Sequence, residues 1–274
     1  MQEKTWKYKE CHIRYRMAGE GPLLFLLHGW GANADLFAGI EQYAATKYTV
    51  VSPDLPGFGG SGEPAQAYDL DDYVDFVAEF VTAVRQETHE CVLLGHSHGG
   101  RIILRLLSRM AGSPEEGISP ENFGFYVSKA ILTDSAGIVP VRTAEQQKRT
   151  QRYKLYKNLL TKTGVTKLAP GALDALQKKY GSADYAAASP VMRQSMVKVV
   201  NTDLQKEMPR IKIPVLLIWG DADTATPLSD GKRMEELMPE AGLAVIAGAG
   251  HYSFLDNPVL YNRILGSFLG IGGD

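Results

Sequence analysis

An α/β architecture, with a mostly parallel central sheet and helices on both faces, is what this sequence predicts. Three observations predict it. Short apolar runs recur along the chain, and they are apolar at every position rather than at alternate ones, as in strands covered on both sides. Longer stretches with helical spacing separate them. Several of the apolar runs end in glycine-rich turns, the punctuation of a strand leading into a helix.

Taken in order, Trp6–Lys9 and His12–Met17 read as an antiparallel edge. "PLLFLL" (22–27), "YTVVSP" (48–53), "CVLLG" (91–95), "KAILTD" (129–134), "PVLLIWG" (214–220) and "LAVIAG" (243–248) read as the core strands. Helices are expected over "DLDDYVDFVAEFVTAVRQ" (69–86), which opens with acidic residues, over "RIILRLLSRM" (101–110) and over "NPVLYNRILGSFL" (257–269). The alternation breaks once. From Ile138 to Met208 no strand-like run occurs, and the stretch reads as helices separated by "LAPG" (168–171) and "GSADYAAASP" (181–190), with Ser189-Pro190 as a helix start. The expected division is a core of residues 1–137 and 209–274 with a helical insertion at 138–208. The loop 112–126 is longer than its connection needs.

Composition narrows the function. With 274 residues and 45% hydrophobic content, the chain can bury a large core. A formal net charge of −2 gives no global field toward nucleic acid or anionic membranes. The two cysteines, Cys11 and Cys91, have no metal or redox spacing and read as free thiols. The first residues lack the apolar core of a signal peptide, and no run is long enough to span a bilayer, so a cytoplasmic protein is expected. "DLPGFGGSG" (54–62) lacks the lysine and spacing of a nucleotide loop, and neither a metal nor a cofactor is implied.

The chemistry concentrates in "LLGHSHGGRIILRL" (93–106). Strand, then Gly95-His96-Ser97-His98-Gly99, then helix is the pattern of a nucleophile elbow. A serine on so sharp a turn leaves no room for side chains two positions either side, and Gly95 and Gly99 remove them. Gly100 lets the helix approach the sheet. Further strand ends carry the glycine-flanked loop "LLHGWGAN" (26–33), an acid in "WGDADTATP" (219–227) and a histidine in "AGAGHYSF" (247–254). Serine, acid and histidine follow one another along the chain, each at the carboxyl end of a strand, where open parallel sheets place their sites.

On these motifs the sequence resembles the α/β-hydrolase fold superfamily, of the single-domain kind that bears a lid, over almost the whole chain. The resemblance implies an α/β-hydrolase fold with a helical lid inserted after the sixth core strand. It makes Ser97 the nucleophile, His251 the base and Asp223 the orienting acid, with Asp134 and Asp221 as rivals for the acid. It gives the backbone N–H groups of Trp30 and His98 to the oxyanion, so both are substrate-binding candidates. The His98 imidazole departs from many relatives and either lines the acyl pocket or packs locally. His96 is expected to pack under the elbow and His28 to hold the Trp30 loop.

The insertion carries eight Lys or Arg and one acid, Glu145, between residues 141 and 170. This reads either as a solvated face or as attraction for an acidic substrate or lipid surface. Tyr153, Tyr156 and Leu160 fall on one helical face, and Met192, Met196 and Val199 on another, expected mostly to pack onto the core. The function so implied is carboxylic-ester hydrolysis through an acyl-enzyme, on a small-molecule ester. Two alternatives stay open: a C–C bond hydrolase or a lyase of the menaquinone-synthesis type, which Ser97-His98-Gly99-Gly100-Arg101 also resembles, and a ligand-binding receptor on the same scaffold. The sequence leaves the oligomeric state open.

Overall fold

The computed structural model describes residues 1–85, 89–113, 119–139, 144–162 and 183–272, with positions 115, 117, 171, 172 and 176 singly between them. Eight strands form one sheet: β1 (Gln2–Tyr8), β2 (Cys11–Ala18), β3 (Leu23–Leu27), β4 (Thr49–Pro53), β5 (Glu90–His96), β6 (Tyr126–Thr133), β7 (Val215–Gly220) and β8 (Ala241–Ile246), in the spatial order β1-β2-β4-β3-β5-β6-β7-β8. β1 and β2 make the expected antiparallel edge, β2 runs antiparallel to β4, and the six strands from β4 to β8 are mutually parallel.

All five residues of β3 are buried, and they divide between two cores. Leu23, Phe25 and Leu27 join one cluster; Leu24 and Leu26 join the other. That is the period-2 alternation of a strand covered on both faces. On the first face pack α2 (Leu70–Val84) and α3 (His98–Ala111), contributing Tyr73, Phe76, Phe80, Ile102 and Leu106. On the second pack α1 (Ala38–Ala44) and the C-terminal helix Pro258–Leu269, through Ile40, Tyr261 and Leu265. α2 starts at a full capping box, Asp69 and Asp72 each bonding the other's backbone N–H. The chain passes from β3 to β4 on one side and returns to β5 on the other. The crevice at this reversal, outside the carboxyl ends of the strands, is the usual place for a ligand.

Between β6 and β7 the described residues hold α4 (Ala144–Lys162), α5 (Ala183–Ala187) and α6 (Pro190–Val200). α5 falls within 181–190, which the sequence reads as a separator. The run Ala-Asp-Tyr-Ala-Ala is rich in the best helix former, and Arg193 caps the short helix by donating from Nε to the carbonyl of Tyr185 and from Nη2 to that of Ala186. The other expected separator, 168–171, lies outside the described residues except for Gly171. Along α6, Met192 and Val199 are buried and Met196 half-buried, as their spacing predicts. Along α4, Tyr153 and Leu160 are half-buried but Tyr156 is exposed. Three residues carry Tyr156 about 60° around the helix from Tyr153, whereas seven bring Leu160 almost back into line.

Two remaining helices follow, α7 (Leu228–Leu237) and the single turn α8 (Ser253–Asp256), so the C-terminal helix is α9. Cys11 and Cys91 are both buried free thiols. Among the described residues, no helix is long and apolar enough to cross a membrane.

Candidate active site

Ser97 stands between β5 and α3 with φ 52° and ψ −110°, a left-handed conformation that costs a residue with a Cβ. Three backbone bonds hold it there: Ser97 N–H donates to the Thr133 carbonyl (3.1 Å), and the Ser97 carbonyl accepts from Ala136 (3.0 Å) and Arg101 (3.2 Å). The flanking glycines are required sterically. A Cβ at Gly95 would lie 2.5 Å from the Gly100 nitrogen, and one at Gly99 would overlap the Leu27 carbonyl in β3. Gly99 thus lets α3 reach β3, and Gly100 lies against Ser135 beyond the end of β6.

His251, after β8, points Nδ1 at Asp223 Oδ2, 2.8 Å away. A carboxylate can only accept, so Nδ1 carries a proton and Nε2 is the ring nitrogen left free of Asp223. Asp223 sits in the turn after β7. Its Oδ1 accepts from the N–H groups of Ala225 (2.7 Å) and Thr226 (3.0 Å), and its Oδ2 from the Thr226 hydroxyl (2.8 Å). Burial by itself would raise the Asp223 carboxyl, but the bonds from His251 and Thr226 outweigh it and hold the group below the ordinary carboxylate range. Sequence reasoning missed Thr226. The signal was present as Asp-x-x-Thr, a carboxylate able to bond the amides two and three residues on.

The Asp134 carboxylate makes neither a hydrogen bond nor an ion pair to His251. Its Oδ1 accepts from Gly220 N–H (2.9 Å), and its Oδ2 from the N–H (3.0 Å) and hydroxyl (2.7 Å) of Ser253. It therefore fastens the end of β7 to α8. Asp221 accepts instead from Gly248 N–H at the surface.

The histidines divide sharply. His96 is buried and donates from Nε2 to the His251 carbonyl (2.7 Å), while its ring packs against those of His251 and Phe254. Burial pulls it down to about 3, so it stays neutral. His28 donates from Nδ1 to the Gly29 carbonyl and accepts at Nε2 from Leu55 N–H, tying the Trp30 loop to the turn after β4. The His98 imidazole is buried edge-to-face against Trp30 and Tyr73 and is not among the described residues that line the cavity. The backbone N–H groups of Trp30 and His98 have no acceptor among the described residues; that of His98 opens α3, where helical amides have no partner of their own.

A cavity of about 310 Å³ opens beside Ser97 and His251. Among the described residues its walls include Ser97, Arg101, Ile138, Val200, Asn201 and His251. The Ser97 hydroxyl forms no hydrogen bond to His251 in this conformation, which free enzymes commonly show before substrate tightens the contact. Among the described residues no cluster of His, Cys, Asp or Glu is placed to hold a metal ion.

Known proteins resemble the chain over nearly its full length. A pimeloyl-[acyl-carrier protein] methyl ester esterase of Aeromonas hydrophila is 26% identical over 263 residues, covering 92% of this chain and 97% of that protein. An uncharacterised protein of Mycobacterium tuberculosis is 24% identical over 282 residues, covering 93% and 77%. Among solved structures, a membrane phospholipase A described as a bacterial virulence factor superposes with a TM-score of 0.72 at 25% identity, covering 100% of this chain and 87% of the other. The sequence profile of the alpha/beta hydrolase family matches residues 24–264, and the chain belongs to that family.

Proposed function

We propose that the protein is a serine hydrolase that cleaves carboxylic esters through an acyl-enzyme. Ser97 Oγ attacks the ester carbonyl carbon as His251 Nε2 takes its proton. Asp223 holds the imidazole in the tautomer that can do so and stabilises the imidazolium that forms. The developing oxyanion accepts hydrogen bonds from the backbone N–H groups of Trp30 and His98. His251 then gives its proton to the departing alkoxide. In the second half, water gives a proton to His251 and attacks the acyl carbon, releasing the carboxylic acid and restoring Ser97.

The observation that carries this reading is the 2.8 Å bond between His251 Nδ1 and Asp223 Oδ2, beside a cavity that both Ser97 and His251 line. The similarity to a methyl ester esterase supports an ester over a C–C bond as the group cleaved. In the same proposal, residues 138–208 form a lid, since Ile138, Val200 and Asn201 help wall the cavity. The two buried free thiols suit a reducing, cytoplasmic setting.

The test is turnover of p-nitrophenyl esters of increasing chain length, with fluorophosphonate labelling alongside. Ser97→Ala is expected to lower kcat by about 10⁴ to 10⁶ and to abolish labelling while the protein stays folded. Retention of more than a few per cent of activity overturns the assignment. Wild-type protein that folds but neither labels nor turns over an ester favours a binding role instead.

A further inference from the structure

Helix α3 carries three arginines on one stripe, four residues apart. Arg105 pairs with Asp71 and Glu207, and Arg109 with Asp75 and Glu121. Arg101, one turn after Ser97, makes no ion pair among the described residues, although it is the most deeply buried of the three at 5% exposed. Its Nη1 donates to the Val199 carbonyl (2.6 Å), while its Nε is buried with no partner among the described residues. Asp203 favours its charge from a distance, yet among the described residues no carboxylate touches it, and a buried guanidinium left without such a contact is costly. Arg101 also lines the cavity that holds Ser97 and His251.

We propose that Arg101 is a specificity residue of this cavity and that the ester cleaved at Ser97 carries a carboxylate a few carbons from the scissile carbonyl. The claim rests on the serine-hydrolase reading above and names its substrate class. A carboxylate matches the edge of a guanidinium and accepts two parallel N–H bonds from it. A single negative charge balances the single positive one. Asp230, which lines the same cavity without pairing with Arg101, disfavours a more highly charged group. Burial pulls Arg101 down to about 10, which still leaves it cationic at neutral pH.

The experiment compares p-nitrophenyl monoesters of succinic, glutaric and adipic acids with uncharged p-nitrophenyl esters of equal chain length. In wild-type protein, kcat/KM for at least one carboxylated ester is expected to exceed its neutral partner by about 10- to 100-fold, the factor of a charge-assisted hydrogen bond. Arg101→Gln should bring that ratio close to one, and Arg101→Lys, which keeps the charge but not the planar edge, should leave it in between. A wild-type ratio at or below one at every length, or a ratio unchanged in folded Arg101→Gln, overturns the proposal and leaves Arg101 as a tie to Val199. Binding decides the matter independently of turnover and of Arg101 variants that fail to fold. Ser97→Ala should bind monomethyl glutarate at least tenfold more tightly than methyl valerate by calorimetry, and equal affinities overturn the claim. If wild-type protein neither labels with fluorophosphonate nor cleaves any ester, the hydrolase reading fails, and the calorimetry still judges the anion site alone.

Discussion

Asp134 and Asp223 leave the sheet at neighbouring strand ends, both buried, and they serve different structures. Asp134 spends all its hydrogen bonds on groups that never react: the amide of Gly220 and the amide and hydroxyl of Ser253. Asp223 satisfies one oxygen with its own turn and turns the other toward His251. Burial pushes the Asp134 carboxyl above its ordinary value, its neighbour Asp223 adding to the effect, whereas His251 and Thr226 hold Asp223 below. The difference teaches that a buried acid at a strand end is not by itself a catalytic acid. What decides is whether its partners are already fixed backbone or a side chain that can pass charge to a substrate.

The largest expected effect separates the two directly. Asp223→Asn should keep the shape of the turn yet favour the wrong His251 tautomer, lowering kcat/KM by about 10⁴ with little change in melting temperature. Asp134→Asn should lose only about tenfold, since Asp134 acts by anchoring Gly220, three residues before Asp223, and Ser253, two after His251. One assay on one ester settles the pair, and an inactive Asp134→Asn beside a near-normal Asp223→Asn would reverse the assignment.

Stability should rank them the other way, with a smaller effect. An amide at position 134 cannot accept from Gly220 and from both groups of Ser253, so a buried donor is left unpaired at a cost of about 1–3 kcal/mol. For a chain of this size that is a fall of about 3–8 °C in Tm. An unchanged Tm for Asp134→Asn would show that solvent reaches those donors.

The smallest effect is in the response to acid, where the two carboxyls have opposite signs. The stability Asp223 contributes is present above the ordinary carboxylate range, near pH 4, and is lost as pH falls through its lower folded value. Asp134, raised in the folded state, takes up its proton more readily there, so its contribution is full below that range and is lost as pH rises through its folded value. Between pH 7 and 3, Asp223→Asn should therefore lose less Tm than wild type, and Asp134→Asn more. Parallel curves for all three proteins would remove the electrostatic distinction and leave only the hydrogen-bond geometry.

The sequence by itself determined everything that depends on a few consecutive residues. The elbow is legible because only glycine fits at 95 and 99 when Ser97 adopts a left-handed turn. The core strands are legible because a strand covered on both faces has no polar positions, as in Leu23–Leu27. The acid loop and the histidine were visible as strand-end motifs, though the rivalry between Asp134 and Asp223 was not resolved by motif alone. Only the tertiary structure shows that Asp223, and not Asp134, hydrogen-bonds His251, because that turns on which strand end faces His251 across the sheet, a matter of register between β6, β7 and β8. It also decided what the sequence had no means to express: that the Thr226 hydroxyl lies between the Asp223 carboxylate and the Asp134 backbone carbonyl, that α4 turns Tyr156 outward, and that Arg101, unlike Arg105 and Arg109 on its stripe, is buried beside Ser97 with no ion pair among the described residues. A side chain's partner, unlike its backbone angle, is set by residues scores of positions away, and nothing local records which of them will arrive.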